Sequence, residues 1–200
     1  MNREAGLCLI EREQKTKMEK LLLIGAGGFG RVVLEHARNL YSCAFLDDAD
    51  KKTVDNVPVI GKISDMEKLF PEYRLLLVTI GNNKLRETLY KKAKEIGYDF
   101  PNLILPSVYI SPYAELGSGI VILNNAVVQN GAKIGNGTIL NAGVEAHHDS
   151  TIGNYVLIYT NSVVRSNTFV GDRAWSGSTA TISTGTRIAE DAIVQDGAAV

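Results

Sequence analysis

The 200-residue chain is poor in cysteine, in net charge and in long apolar runs, and each shortage removes a class of function. Only Cys8 and Cys43 occur. Two isolated cysteines build neither a disulfide framework nor a cysteine metal site, and they suit a reducing cytoplasm, which is the expected location. The 21 Lys and Arg nearly cancel the 22 Asp and Glu, leaving a net charge of −1. That balance gives no broad electrostatic grip, so neither nucleic acid nor membrane is expected as a partner. No apolar stretch reaches the roughly 20 residues that a membrane helix needs. Residues 1–17 are charged and lack the apolar centre of a secretion signal. They are expected to form a disordered extension ahead of Met18.

What the chain does have is a period of six. Counted from Ile110, the first residue of each hexad through Val200 is Ile, Leu or Val, except at Ala146 and Ser176. The residue four further on is mostly small, as at Ala114, Ala126, Ala132, Ser150, Ser162 and Ala174. Gly, Asn and Asp fill the turns, as in Ile134-Gly-Asn-Gly137. A gapless hexapeptide period predicts a parallel β-helix, in which each hexad gives one short strand and one tight turn. Three hexads close one triangular coil, and coils stack about 4.8 Å apart. An antiparallel sandwich would instead alternate with period two.

Upstream, Leu21–Ile24 reads as a buried strand running into Gly25-Ala-Gly-Gly-Phe-Gly30. A helical stripe of Val32, Val33, His36, Ala37 and Leu40 follows. Strand, glycine turn and helix make a unit that cradles phosphate, because glycine lets the backbone approach and the helix N-terminus favours an anion. His36 belongs to the packed stripe. A second strand, 43–46, ends at Asp47-Asp48, where an acid commonly meets a ribose hydroxyl. Val57–Gly61 reads as a connector, and Ser64 as the cap of a helix over Asp65–Phe70. A third strand, Arg74–Ile80, leads to Gly81-Asn82-Asn83. In the next helix Leu85, Leu89, Ala93 and Ile96 share a face, and Arg86 and the lysines turn outward. Alternating β and α predicts a small parallel sheet. The expected organisation is an extension over 1–17, an α/β Rossmann-like domain over 18–106 and an all-β parallel β-helix over 107–200. One half of a dinucleotide fold suits a mononucleotide-bearing ligand better than NAD.

These features together resemble the NeuD-like family of hexapeptide-repeat sugar acyltransferases, which includes UDP-4-amino-sugar N-acetyltransferases. The resemblance covers 18–200. It rests on Leu22–Gly30, Phe45–Asp48, Ile80–Asn83 with Arg86, Ile110–Ala114 and the hexads. It implies a homotrimer of left-handed β-helices, a nucleotide sugar of UDP type on each Rossmann-like domain, and acetyl-CoA between neighbouring β-helices as acyl donor. Gly27, Gly28, Phe29, Asp47, Asp48, Gly81 and Asn82 would hold the nucleotide sugar. The family's base segment matches Asn141–Gly153, which puts the general base at His148 and its acidic partner at Asp149. Imidazole titrates near working pH, and a carboxylate fixes its tautomer. Both substrates can be held together, so no acyl-enzyme is required. Leu157, Ser166 and Ser178 are the cofactor-binding candidates, and Ser166, one coil beyond His148, would supply an oxyanion N–H. Trp175 is a candidate for stacking on coenzyme A or for interface packing.

The His147-His148-Asp149 turn has a plain alternative as a polar corner. A three-histidine zinc site of the γ-carbonic anhydrase kind would need His36 in the same groove, and His36 is remote in sequence, so no metal is expected. The chain departs from the family at Phe29, Leu105 and Leu157, where histidine is usual, and it stops at Val200 on an inward position where the family continues into a tail over coenzyme A. Two rival functions follow: a non-catalytic trimer that binds a nucleotide sugar, and an acetyltransferase acting on a small acceptor without a nucleotide.

Overall fold

β1 (Lys20–Ile24) has no polar residue after Lys20, and Leu21 to Ile24 are fully buried. Continuous burial of that kind marks the centre of a parallel sheet covered on both faces. The computed structural model describes residues 18–200, and the extension expected over 1–17 lies outside the described residues. β2 (Ser42–Leu46), β3 (Thr53–Val54), β4 (Val57–Gly61) and β5 (Leu75–Val78) complete the sheet in the order β3-β4-β2-β1-β5. All neighbours are parallel except β3 and β4. Those two form a hairpin over Asp55 and Asn56, both at positive φ (46° and 67°). Paired positive φ gives the turn whose twist suits a two-residue hairpin. The segment Val57–Gly61, read as a connector, is therefore a strand. Pro58 is tolerated there because it faces only the short β3.

Three helices flank the sheet: α1 (Gly28–Ala37), α2 (Met66–Leu69) and α3 (Asn83–Ile96). Helix α1 begins inside the glycine turn, and Leu40, counted in its stripe, lies beyond the helix at 60% exposure. Ser64 caps nothing. It sits inside a 3-10 turn (Ile63–Asp65), where Asp65 Oδ2 accepts from Lys62 N–H at 2.8 Å. Asn82 does cap α3, accepting from Leu85 N–H at 3.0 Å, and Gly97 ends it in the left-handed region (φ 111°).

From Leu103 onward every strand is two residues long and parallel to those eighteen residues away. This is the left-handed parallel β-helix. The first face stacks six strands, from Leu103–Ile104 to Ile193–Val194. The second stacks five, from Tyr109–Ile110 to Thr181–Ile182, and the third five, from Glu115–Leu116 to Arg187–Ile188. Ile122, Leu140, Ile158, Val128, Val164, Ile134 and Ile152 fill the prism with the small residues of each turn. Each such aliphatic side chain contributes about 1.5–3 kcal/mol on burial. Every sixth residue from Gly119 to Gly197 has positive φ. Gly, Asn and Asp accept this conformation, whereas Tyr155, Arg173 and Thr179 each carry about 1–2 kcal/mol of strain.

The α/β domain packs on the first face. Leu103, Val121, Ile139 and Leu157 point away from the prism and join Leu21, Leu23 and Val33 in one core. Helix α3 lies against the corner between the third and first faces. There Arg86, at 1% exposure, donates to five backbone carbonyls, Ile80, Gly81, Gly137, Tyr155 and Val156, and to Asn83 Oδ1. The outward position expected for Arg86 is thus wrong. The full set of acceptors lets a guanidinium stay buried, although burial pushes its pKa down to about 10. Tyr90 seals the same seam, stacked on Phe100 (ring centroids 3.9 Å apart) and edge-on to Tyr155 (5.4 Å).

Candidate active site

The glycine turn divides its labour among four glycines. Gly25 has φ 102°, and a Cβ there would strike the Ile80 side chain. A Cβ on Gly30 would collide with the Gly25 carbonyl. Both are fixed by the fold. Around Gly27 and Gly28 there is nothing within 4 Å of an added Cβ, and both are exposed. Gly27 is the N-cap of α1 and offers no side chain to its N–H groups. The first turn of α1 is therefore open to an oxyanion, and Phe29 packs half-buried beside it against the core.

Asp47 holds this turn. Its Oδ2 accepts from Ala26 N–H at 2.6 Å and its Oδ1 from Ala49 N–H at 2.8 Å. Partial burial works against the carboxylate, but those two N–H groups, with Lys51 and Lys62, outweigh it and hold the pKa below the ordinary value. Lys51 Nζ closes the ring by donating to Ala26 O at 2.9 Å. Asp48 Oδ1 accepts from Ile63 N–H at 3.0 Å. Both acids are thus bonded to backbone donors of their own domain. Gly81 and Asn82 follow β5, next to β1, so their loop lies beside the glycine turn. Thr79 Oγ1 ties the two, placed 2.9 Å from Ile24 O and 2.7 Å from Gly25 O. Strand order reverses between β1 and β5, the switch point where ligands of open α/β sheets bind. A crevice of about 550 Å³ opens there between Gly81, Asn82 and Lys84 on one side and Arg173, Trp175 and Ile193 on the other. Sequence reasoning missed Arg173. It ion-pairs with Glu87, Glu190 and Asp191, and only its stacking eighteen residues beyond Tyr155 could have signalled it.

His148 and Asp149 occupy the turn that joins the second face to the third, with side chains 54% and 63% exposed. Their contact is His148 Nδ1 to Asp149 Oδ2, 2.9 Å. An ionised carboxylate only accepts, so the contact calls for a proton on Nδ1, and in the neutral ring that leaves the lone pair on Nε2. His147 makes a separate pair, Nε2 to Glu145 Oε2 at 3.1 Å, with its ring one-quarter exposed. Ser166 stacks one coil beyond His148. The ladder leaves the third residue of a hexad without a rung bond, and the Ser166 N–H has no acceptor among the described residues.

The other cofactor candidates stand elsewhere. Leu157 lies on the first face at 3% exposure, inside the core shared with the α/β domain, where no coenzyme reaches it. Ser178 lies on the corner between the first and second faces, with its N–H bound to Asp196 Oδ1 at 2.6 Å. The chain therefore groups Gly27, Gly28, Phe29, Asp47, Asp48, Gly81 and Asn82 at one end of the sheet. It groups His148, Asp149 and Ser166 on the corner opposite the face that the α/β domain covers.

Residues 20–93 match the model of the PglD N-terminal domain. The chain is similar to UDP-N-acetylbacillosamine N-acetyltransferase of Bacillus subtilis (strain 168), 31% identical over 117 residues. That match takes in 53% of this chain and spans about half, 52%, of the relative. Two solved structures match more fully. One is a histidine-to-asparagine mutant of perosamine N-acetyltransferase from Caulobacter crescentus in complex with CoA and GDP-perosamine. It is 31% identical with a TM-score of 0.87, covering 90% of this chain and 88% of that one. The other is the acetyltransferase domain of PglB from Neisseria gonorrhoeae FA1090, 34% identical with a TM-score of 0.87 and 91% of each chain covered. With a Rossmann-like unit fused to a left-handed β-helix, and these two structures matched along nearly their whole length, the chain belongs to the NeuD-like family of hexapeptide-repeat sugar acyltransferases.

Proposed function

We propose that this chain transfers acetyl from acetyl-CoA to the amino group of a nucleotide-linked amino sugar, with His148 as general base. The observation that carries the reading is the His148–Asp149 pair, whose contact takes up Nδ1 and turns Nε2 outward on an exposed β-helix corner. The amine attacks the thioester carbonyl while Nε2 takes its proton. Asp149 holds the imidazolium that results, and the Ser166 N–H meets the oxyanion. Collapse forms the amide, breaks the C–S bond and returns the proton to the leaving thiolate. The thioester is already activated, so positioning does the rest.

The nucleotide sugar lies at the switch point, its pyrophosphate on Gly27 and Gly28 and its sugar toward the Gly81–Asn82 loop. UDP is the nucleotide we favour, on the resemblance to UDP-4-amino-sugar enzymes. The switch point and the His148 corner belong to different sides of one protomer. The active site is therefore built between copies, in a homotrimer, with the second face, where Tyr109, Val127, Glu145 and Val163 stand in one outward column, as contact surface. The reaction belongs to the cytoplasm, as the sparse cysteines suggest. Among the described residues no helix is long and apolar enough to cross a membrane.

The test is thiol release from acetyl-CoA with a panel of UDP-, dTDP- and GDP-linked amino sugars. Turnover with one of them establishes reaction class and acceptor together. Silence across the panel, with a nucleotide sugar still raising the melting temperature, favours the non-catalytic binder and overturns the reading.

A further inference from the structure

The coil beneath the His148 corner is shaped around it. Gly131 stacks one coil before Asp149 and has φ 70°. A Cβ added to Gly131 would stand 2.6 Å from Asp149 Oδ1. The Asp149 carboxylate therefore rests over bare backbone, with its other oxygen 2.9 Å from His148 Nδ1. From the same coil the Gln129 side chain accepts the His148 main-chain N–H, Oε1 to N at 3.0 Å. Neither contact belongs to the ladder. The rung bond at Asp149 runs from its N–H to Asn130 O at 3.1 Å.

We infer that Gly131 and Gln129 are positioning residues for the His148–Asp149 pair: Gly131 by leaving room for the carboxylate, Gln129 by fixing the turn on which the imidazole stands. The catalytic consequence rests on the function proposed above, but the positioning itself does not. A methyl group at Gly131 forces the carboxylate to rotate about Cα–Cβ, which carries both oxygens and breaks the bond to Nδ1. The imidazole then loses the partner that keeps its proton on Nδ1.

The same column of the β-helix supplies the control. Gly185 stands two coils beyond Asp149, has φ 76°, and an added Cβ there meets nothing within 4 Å. Gly185→Ala thus imposes the same backbone penalty without touching the pair.

The decisive experiment is a long-range proton–nitrogen spectrum of the full chain with labelled histidine, recorded at about pH 8.5, above the ordinary histidine range. Wild type and Gly185→Ala are expected to show the proton of His148 on Nδ1. Gly131→Ala should move it to Nε2, with His36 unchanged as reference. Gln129→Ala, which adds no group and no backbone penalty, should broaden or shift the same resonances. An Nδ1–H signature retained in both Gly131→Ala and Gln129→Ala overturns the inference.

Kinetics with the panel sugar that turns over separate this inference from the reading beneath it. Gly131→Ala should lower kcat by roughly tenfold or more at unchanged KM, as loss of an oriented base requires. In an Asp149→Ala background the same change should do nothing further, whereas a merely structural effect would add. Full turnover in Asp149→Ala removes the catalytic reading and leaves the tautomer result to stand by itself. Loss in Asp149→Ala with full turnover in Gly131→Ala keeps the reading and overturns the inference.

Discussion

Replacing Arg86 with methionine tests the junction on which the geometry of the α/β domain depends. The side chain is buried, and its short bonds run to Ile80 O (2.8 Å), Gly137 O (2.8 Å), Tyr155 O (2.6 Å) and Asn83 Oδ1 (2.8 Å). Methionine keeps the aliphatic stem but ends about where Nε stands, so the chief loss is that of the guanidinium's hydrogen bonds. Val156 O keeps its rung bond from Ile139 N–H, but the Ile80, Gly137 and Tyr155 carbonyls are left without a donor. Each orphaned carbonyl costs about 2 kcal/mol, roughly 6 kcal/mol together. Against this stands the relief of a buried charge. A guanidinium whose pKa has fallen from 12.5 to about 10 is disfavoured by about 3 kcal/mol. The net loss is about 3 kcal/mol, or a fall in Tm of about 6–12 °C for a chain of this size. Arg86→Lys, with a single ammonium in place of the fork, should fall between. The folded-state pKa is depressed and Arg86 is protonated in both states below about pH 10, so its burial penalty is constant there. It is relieved only as pH rises from the folded value toward 12.5. The thermal shift is therefore expected to be flat between about pH 6 and 9. A Tm for Arg86→Met within about 2 °C of wild type would refute the reasoning, because it would mean that the carbonyls find water or never needed the fork.

His148→Ala should reduce turnover by about 10²–10⁴-fold while nucleotide-sugar binding by calorimetry is retained, and His147→Ala should stay near wild type; full turnover in His148→Ala sinks the assignment of the base. Gly27→Val should keep the melting temperature but weaken nucleotide binding, since its Cβ enters open space, whereas Gly30→Ala should unfold the turn by collision with the Gly25 carbonyl; equal thermal losses in the two would contradict the division of roles among the glycines. Thr179 is β-branched, exposed and held at φ 57°, and its hydroxyl reaches only Ser178 O. Thr179→Asn should therefore raise stability by about 1 kcal/mol, read as a Tm gain of about 2–4 °C.

The hexads were legible because burial in a β-helix is strictly periodic: Ile134, Ile152 and Val170 mark the same inward site at intervals of one coil. The glycine turn was legible because Gly25 and Gly30 answer local steric demands that sequence spacing records. Arg86 was not legible. It stands among lysines on a helix that reads as solvated, and its acceptors are carbonyls from residues 80 to 156, which have no signature in side-chain type. Leu157 misled for the opposite reason. Its place just before the inward Ile158 reads as outward, and so it is, but outward on the first face means into the core of the other domain. Pro58 hid β4 because proline argues against a strand unless the partner edge is known.

The same topological fact decides how the proposed site is assembled. A residue's number modulo eighteen gives its face, so the sequence already states that His148 and Ser166 share the corner between the second and third faces. It states equally that Arg173 lies on the corner between the third and first. What it does not state is which face the α/β domain covers. The structure answers this through Leu103, Val121 and Ile139, all on the first face. Once that face is fixed, a nucleotide sugar bound at the switch point as proposed stands across the prism from the His148 of its own chain, which is why the proposed site draws on a second copy. The α/β domain covers the first face from Leu103 to Leu157, which leaves the second and third faces for the proposed association. Those are the two faces that meet at His148. The proposed trimer contact and the proposed catalytic corner are in this way one consequence of where a handful of leucines and valines point.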